Sequence, residues 1–207
     1  AQCEYLINDS GTKVVFVEDD EQLDKILQIR ERCPGIQKIV IFDMEGLTTF
    51  KDPMCVSLDD FIAQGRAYAQ GRDKLFDELL DSRSIDDLAI LVYTSGTTGP
   101  PKGAMHANKS VITQMRHAQD LYHSQPGDER LLFLPLCHVA ERLGGYYTSI
   151  ALGPVMNFAG SPETVPDNIR EVQPHGFLAV PRVWEKFYSG TMIALQEILD
   201  DKVGYFT

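Results

Sequence analysis

The sequence lacks features that several classes of protein require. Four cysteines are present: Cys3, Cys33, Cys55 and Cys137. They form no CxxC pair and no zinc-ligand spacing with histidine, which argues against a zinc site and a redox dithiol. Acidic side chains outnumber basic ones by 30 to 19, for a formal charge of −11. This sign is wrong for a nucleic-acid partner. No apolar run approaches the roughly 18 residues that a membrane span needs.

What is present is typical of a globular domain with a core. The 207 residues are 43% hydrophobic and 24% charged, which predicts one or two compact domains. The chain opens on Ala rather than Met, and residues 1–8 read like the continuation of an element. We therefore expect an excised piece of a longer protein. Unpaired cysteines and the absence of a basic-then-apolar opening segment predict a cytoplasmic location.

Short apolar runs alternate with helical patterns along the chain. Residues 13–18 and 38–42 predict strands on either side of a helix near 23–30, which is a βαβ unit. The run 88–93 is apolar without alternation and predicts a strand buried on both faces. Further strands are predicted at 131–134, 155–158 and 177–180, and further helices at 111–122, 140–151, 166–173 and 183–202.

This alternation predicts an α/β fold, with layered and mostly parallel sheets flanked by helices. The stretch 64–84 is the most polar part of the chain and is expected to be a loop or a surface helix. A subdomain boundary near residue 85 follows from this change in composition.

The segment Thr94–Gly103 has a composition suited to polyphosphate. It reads TSGTTGPPKG, so hydroxyl side chains and three glycines surround one lysine directly after a predicted strand. Glycines let backbone N–H groups approach phosphate oxygens, hydroxyls donate further hydrogen bonds, and Lys102 supplies a charge. The spacing does not match GxxxxGK[ST], because Lys102 stands between Pro101 and Gly103. A glycine-rich turn without a ligand is the plainer alternative.

The order of these residues resembles a known signature. Tyr93–Gly103 (YTSGTTGPPKG) is similar to the phosphate loop of the AMP-forming acyl-CoA synthetases and other adenylate-forming enzymes. Leu134–Tyr147 (LPLCHVAERLGGYY) resembles their histidine-containing tract in its long-chain fatty acid ligase form. Val180–Lys186 (VPRVWEK) and Tyr5–Phe16 are also similar to segments of those ligases. The chain thus resembles an internal fragment, 1–207, of the large N-terminal adenylation domain.

The resemblance implies a reaction and a set of roles. Such enzymes use ATP and Mg²⁺ to convert a fatty acid into acyl-AMP and pyrophosphate, and then transfer the acyl group to coenzyme A. Lys102 would be a catalytic charge partner of the phosphates, and Thr94 would also ligate Mg²⁺. The other implied phosphate contacts are Ser95, Gly96, Thr97, Thr98 and Gly99.

The same resemblance places His138 beside the acyl and adenylate pocket as a second catalytic residue. We expect it to orient the carboxylate or line the acyl site, because a carboxylate nucleophile is already ionised at neutral pH. Glu141 and Arg142 are equally well interpreted as a solvated pair. Trp184 is expected in the core or, alternatively, along a lipid tunnel.

Other functions remain open at this stage. An acyl-AMP ligase or an adenylation unit that serves a carrier protein would share the same loop. A non-catalytic nucleotide-binding module or a plain α/β domain would also be compatible. The remaining groups that the resemblance implies, a glutamate for Mg²⁺, an aspartate for ribose and a late lysine, are expected beyond residue 207, so the isolated fragment is expected to be inactive. Peripheral contact with the inner face of a membrane also stays open.

Overall fold

The computed structural model describes residues 2–94 and 99–204, and the chain divides into two compact units, Ala1–Met105 and His106–Thr207. The first unit runs from α1 into β5. Its elements are α1 (Gln2–Ser10), β1 (Val14–Val17), α2 (Asp20–Leu27), β2 (Lys38–Ile41), β3 (Cys55–Ser57), α3 (Leu58–Ala69), α4 (Leu75–Asp81), β4 (Leu88–Thr94) and β5 (Lys102–Ala107). The division falls within β5. The predicted boundary near residue 85 stays a prediction.

The predicted βαβ unit is present in the first half of this unit. Strands β1, β2 and β3 form a parallel sheet in that order, with Val14 opposite Lys38 and Ile39 opposite Cys55. The core lies against β2, whose Ile39 has no exposed surface. Helix α2 begins where the Asp19 carboxylate accepts a 2.9 Å hydrogen bond from the Gln22 amide. Its buried Leu23 and Ile26 then cover the sheet.

Strand β4 corrects one expectation about burial. It forms a two-stranded sheet with β5 rather than joining the parallel sheet. The prediction that β4 is buried on both faces is wrong: Val92 is its one buried residue, and Leu88 is 48% exposed. Each strand of a two-stranded sheet has only one neighbouring strand, and such a sheet buries little of its surface. The continuous apolar run 88–93 therefore did not distinguish this strand from a central strand of a parallel sheet.

The second unit is built around another parallel sheet. Its elements are α5 (Asn108–Tyr122), β6 (Glu129–Leu132), a π-helix (Ala140–Tyr147), α6 (Thr148–Leu152), β7 (Val155–Phe158), α7 (Val165–Val172), β8 (Gly176–Phe177) and α8 (Pro181–Gly204). Strand β6 lies at the centre, and β7 and β8 pair with it in parallel. The buried Leu131 and Leu132 of β6 form its core together with Ala118 and Val165. The predicted α/β fold with parallel sheets and flanking helices is confirmed.

Candidate functional site

The predicted phosphate loop lies between β4 and β5 in the first unit. Thr94 is the last residue of β4 and Lys102 is the first residue of β5, and both are exposed. The chain therefore leaves the loop in a strand, in agreement with the absence of a helix-opening lysine motif. The predicted phosphate contacts Ser95, Gly96, Thr97 and Thr98 lie outside the described residues.

The described part of the loop is open and carries an available charge. Gly99 has a φ of +91°, which a residue with a side chain rarely adopts. A Cβ at Gly99 would meet no described atom within 4 Å. Among residues 2–94 and 99–204, no carboxylate forms an ion pair with Lys102. A neighbouring anion could therefore reach this ammonium group without displacing a described carboxylate.

Helix α1 holds the two ends of this loop. The Tyr5 hydroxyl donates a 3.0 Å hydrogen bond to the carbonyl oxygen of Pro101. The Tyr93 hydroxyl donates a 2.7 Å hydrogen bond to the Asp9 carboxylate. Because Tyr5 and Asp9 are four residues apart, they lie on one face of α1. One helical face thus fixes the residue just before Thr94 and the residue just before Lys102.

The Tyr93 ring also sets how closely β4 and β5 approach each other. A Cβ on Gly103 would lie 3.1 Å from Cζ of Tyr93, so the ring covers the glycine. Hydrogen bonding to Asp9, together with burial, raises the pKa of Tyr93 to about 12. The phenol is therefore a proton donor at every physiological pH. Sequence reasoning missed this pair and Tyr5, although the i, i+4 spacing in α1 was a usable signal.

The predicted His138 lies in the second unit, in the loop after β6. It is exposed, and its Nδ1 accepts a 3.3 Å hydrogen bond from the Ala140 amide. The His138 amide donates a 2.8 Å bond to the carbonyl of Pro135. An accepting Nδ1 leaves the proton of the neutral ring on Nε2. The imidazole can then offer one N–H to an acidic or carbonyl ligand.

The interpretation of Glu141 and Arg142 as a solvated pair is wrong. Glu141 is only 2% exposed, and its carboxylate accepts a 3.0 Å hydrogen bond from the Leu134 amide. Arg142 donates through Nε to the carbonyl of Leu136 at 2.7 Å. The two side chains bond to the backbone of the His138 loop instead of to each other. A buried Arg130 in β6, which sequence reasoning missed, lies beneath this region.

An apolar cavity of about 570 Å³ adjoins α7 and α8 in the second unit. Its lining includes Phe133, Val165, Val183 and Phe187, with Glu163, Arg170 and Lys186 as charged members. Trp184 packs edge-on against Phe177, with ring centroids 5.6 Å apart, yet it remains 50% exposed. The expectation that Trp184 belongs to the core is therefore wrong, and its alternative assignment to a lipid tunnel stays a prediction.

The described residues contain neither a metal-binding cluster nor a membrane-spanning helix. In the ranges 2–94 and 99–204, no group of three or more histidine, cysteine, aspartate or glutamate side chains could hold a metal ion. Across that same part of the chain, no helix has both the length and the apolar character needed to cross a bilayer.

Comparison with known proteins identifies the family. Residues 1–201 match the family described as AMP-binding enzyme. The chain belongs to this family. The resemblance of Tyr93–Gly103 and Leu134–Tyr147 to adenylate-forming enzymes is thereby confirmed at family level.

Curated relatives of this AMP-binding chain include long-chain-fatty-acid–CoA ligases. It is 30% identical over 203 residues to ACSBG1 of Rattus norvegicus, a match that covers 95% of this chain and 27% of that protein. It is 31% identical over 191 residues to ACSBG2 of Homo sapiens, covering 90% of this chain and 28% of the relative. The chain thus spans little more than a quarter of their length.

Solved structures of adenylate-forming enzymes share the fold. The adenylation domain of a carboxylate reductase from Mycobacterium chelonae superposes with a TM-score of 0.69 at 23% identity, over 95% of this chain and 32% of that one. The anthranilate CoA ligase AuaEII, solved with anthranoyl-AMP, gives 0.65 at 21% identity, over 85% and 32%. At these identities the likeness concerns the fold.

Proposed function

We propose that the full-length protein is an AMP-forming ligase of long-chain fatty acids. The fatty acid carboxylate attacks the α-phosphorus of ATP, so that a carboxyl oxygen bonds to phosphorus and pyrophosphate leaves. The thiol of coenzyme A then attacks the acyl carbon, and AMP leaves with the former carboxyl oxygen. The observation that carries the proposal is the exposed Lys102, which has no ion-pair partner among the described residues and lies within the region that matches the AMP-binding enzyme family.

In this proposal the loop between β4 and β5 acts electrostatically. Lys102 faces the β- and γ-phosphates while negative charge develops on the departing pyrophosphate. The residues Ser95, Gly96, Thr97, Thr98 and Gly99 contact the phosphates through hydroxyl and backbone N–H groups. Two observations support this assignment: no described atom lies within 4 Å of a Cβ at Gly99, and the stems are fixed at Tyr93 and Pro101.

Thr94 is compatible with a role at Mg²⁺. Mg²⁺ prefers oxygen ligands, keeps several waters and takes few protein ligands beside substrate phosphates. An exposed threonine hydroxyl at the end of β4 is such a ligand and does not require a carboxylate cluster around it. The ion would supply charge neutralisation between the phosphate oxygens.

His138 and the apolar cavity are assigned to the fatty acid. The Nε2–H of His138 orients the substrate carboxylate, which is already ionised and needs no base. The aromatic and aliphatic lining between α7 and α8 suits an alkyl chain, whereas a polar acyl group would lose hydration there. This supports a long-chain substrate over a short polar acid.

The test is turnover by the full-length protein with ATP, Mg²⁺ and palmitate, with and without coenzyme A. Pyrophosphate, acyl-AMP and thioester are measured separately. The proposal predicts pyrophosphate release that depends on palmitate and continues when coenzyme A is supplied, with palmitoyl-CoA as product. The Lys102→Ala variant is the negative control.

Each alternative has a distinct result in the same assay. Acyl-AMP without a thioester would point to an acyl-AMP ligase or to a carrier-protein acceptor. Binding of ATP without pyrophosphate release would point to a non-catalytic nucleotide-binding module. The isolated 207-residue chain is proposed to be inactive, since it spans about 27% of the relative's length. Sustained pyrophosphate release by that chain would contradict this part.

We also propose a cytoplasmic location with at most peripheral access to a membrane. A long-chain fatty acid partitions into lipid, so a ligase benefits from working close to it. A net charge of −11 opposes adsorption to anionic leaflets over the whole surface. Cosedimentation of the full-length protein with neutral and anionic vesicles tests this, and strong binding to anionic vesicles alone would contradict it.

A further inference from the structure

The carboxylate of Glu141 occupies the gap between the π-helix and the end of β6. One oxygen, Oε2, accepts the 3.0 Å hydrogen bond from the Leu134 amide. The other oxygen, Oε1, lies 1.9 Å from the point where a Cβ on Gly145 would stand. No side chain at position 145 can coexist with the observed carboxylate position. Gly145 therefore makes room for Glu141 on the neighbouring helical turn.

The helix that carries Glu141 is unusual in its own right. Residues Ala140–Tyr147 form a π-helix, a wide and rare geometry found mostly at functional sites. Gly144 also allows close packing, because its Cβ would lie 2.9 Å from Cδ2 of Leu178. Two adjacent glycines thus allow the helix to enclose a buried acid on one side and to contact the β8 region on the other.

Burial of Glu141 is compensated by nearby donors. Loss of hydration raises the pKa of this carboxyl, while the amides of Leu134 and Phe133 and the charge of Arg130 oppose the rise. Arg130 is 5% exposed and donates to the Ser149 hydroxyl at 3.3 Å and to the Gly144 carbonyl at 3.2 Å. The carboxylate therefore has a hydrogen-bond donor and a nearby buried cation, so it is not an isolated buried charge.

Glu141 and Arg142 both form hydrogen bonds to the backbone of the loop that carries His138. Glu141 binds the amide at the start of the loop, and Arg142 binds the Leu136 carbonyl in its middle. The Arg142 amide also donates a 3.0 Å hydrogen bond to the His138 carbonyl at its end. Only the Glu141 contact uses a side chain that is almost fully buried. Removing it would leave a half-buried Leu134 N–H without this acceptor.

We propose that Glu141 is a positioning residue that holds the His138 loop in place for formation of the acyl-adenylate. The inference rests on the proposed ligase function, because His138 can orient a substrate carboxylate only if that substrate binds beside it. Glu141 itself does not touch substrate in this proposal. It acts through the Leu134 amide and the backbone that leads to His138.

The test compares three substitutions in the full-length protein. Glu141→Ala removes the acceptor, Glu141→Gln keeps a carbonyl oxygen at the same position, and Glu171→Ala alters an exposed glutamate of α7 as the matched control. We expect Glu141→Ala to lower kcat for palmitoyl-AMP formation by about 10²-fold, the cost of a displacement near 1 Å at a reacting group. The KM for ATP should stay within about twofold, because the phosphate loop lies in the other unit. Glu141→Gln should recover most of the rate.

A mutant cycle with Gly145 separates positioning from general destabilisation. Gly145→Ala should displace the carboxylate and reduce kcat much as Glu141→Ala does. In the double variant Glu141→Ala/Gly145→Ala the added methyl group has space, so the second substitution should cost little further activity. If the loss of kcat in the double variant equalled the product of the losses in the two single variants, the proposal would be overturned.

Hydrogen exchange provides a readout that does not need activity. In full-length protein, the amide of Leu134 should exchange at least tenfold faster in Glu141→Ala than in the wild type. Unchanged exchange overturns the inference even if the wild type lacks ligase activity. Wild-type turnover together with an active Glu141→Ala variant overturns only this inference, whereas absence of wild-type turnover overturns the proposed function.

Discussion

The Tyr93 hydroxyl lies 2.7 Å from the Asp9 carboxylate and joins the end of β4 to α1. Eight residues further along the chain, the Pro101 carbonyl accepts a hydrogen bond from Tyr5 on the same helical face. If residues 95–99 bind phosphate as proposed, stems that are already fixed reduce the conformational entropy that binding costs. Helix α1 is therefore part of the support for the phosphate loop, although it contributes no residue to the predicted phosphate contacts.

The first prediction concerns the ionisation of Tyr93. One tyrosine should titrate near pH 12, followed by tyrosinate absorbance, because Asp9 and burial raise the pKa from 10. The folded state then holds this phenol proton more tightly than the unfolded state does. The contribution to stability is complete below pH 10 and disappears as pH rises towards 12. Asp9→Asn should lower that titration midpoint, whereas Asp24→Asn on α2 should leave it unchanged.

The second prediction concerns the Tyr5 contact with Pro101. Tyr5→Phe removes one hydrogen bond, which is worth about 1 kcal/mol. We expect the KM for ATP in the full-length protein to rise about fivefold with kcat little altered, since a looser stem makes phosphate binding costlier. Tyr68→Phe, at an exposed tyrosine of α3, is the matched control. A rise in the palmitate KM instead would contradict the assignment of Tyr5 to the phosphate loop.

The third prediction concerns Lys102. Lys102→Ala should lower kcat for pyrophosphate release by two to three orders of magnitude, because one preorganised contact at a transition state is worth about 3 kcal/mol. Lys102→Arg keeps the charge and should retain part of the rate. Lys74→Ala, an exposed lysine before α4, should behave as the wild type. Unchanged kinetics in Lys102→Ala would remove the charge partner on which the proposed function depends.

The elements with strong periodicity were predictable from the sequence. The βαβ unit was predictable because β-branched runs flank a helical pattern. The buried Ile39 and Leu23 fall at the expected spacing. The loop after β4 was also located, because its glycines, hydroxyls and lysine follow an apolar run directly. Strand β3 was not predicted, since three residues are too few to show alternation.

The buried polar groups of the second unit could not be predicted from local pattern. Glu141 and Arg142 are adjacent charged residues, which usually face solvent, but Glu141 is buried and its carboxylate is bonded to the Leu134 amide, seven residues earlier in the chain. Two glycines at 144 and 145 were visible, but the reason for them is the carboxylate and the Leu178 side chain that occupy the space. Contacts of this kind are tertiary and leave no periodic trace.

The fourth prediction concerns the ion pair between Arg30 and Asp52. Asp52 also accepts a 2.9 Å hydrogen bond from the Met54 amide, and it tethers the turn after α2 to the segment before β3. Hydrogen bonding from Arg30 and Met54 lowers the pKa of Asp52 below its usual 3.8. The stabilisation is therefore present above that ordinary pKa and is lost as pH falls through the lower value of the folded state.

Thermal unfolding as a function of pH tests the ion pair. Asp52→Asn should unfold at a lower temperature than the wild type at pH 7, and the difference should shrink as pH falls below about 4. Asp59→Asn, at the exposed start of α3, serves as the control and should give no comparable convergence. A difference that persists unchanged at pH 2 would mean that packing of the amide, rather than loss of the charge pair, causes the effect.

The last prediction separates orientation from proton transfer at His138. The Ala140 amide donates to Nδ1, which leaves Nε2–H as the ring group that can donate a hydrogen bond. If His138 orients the fatty acid carboxylate, a side-chain amide that keeps an N–H should replace it in part. We expect His138→Ala to lower kcat/KM for palmitate by about 10- to 100-fold, close to the loss of a hydrogen bond to a charged group, and His138→Gln to recover a measurable share. A proton shuttle would be abolished equally by both substitutions, because glutamine does not titrate, so equal loss in the two variants would favour acid–base catalysis instead.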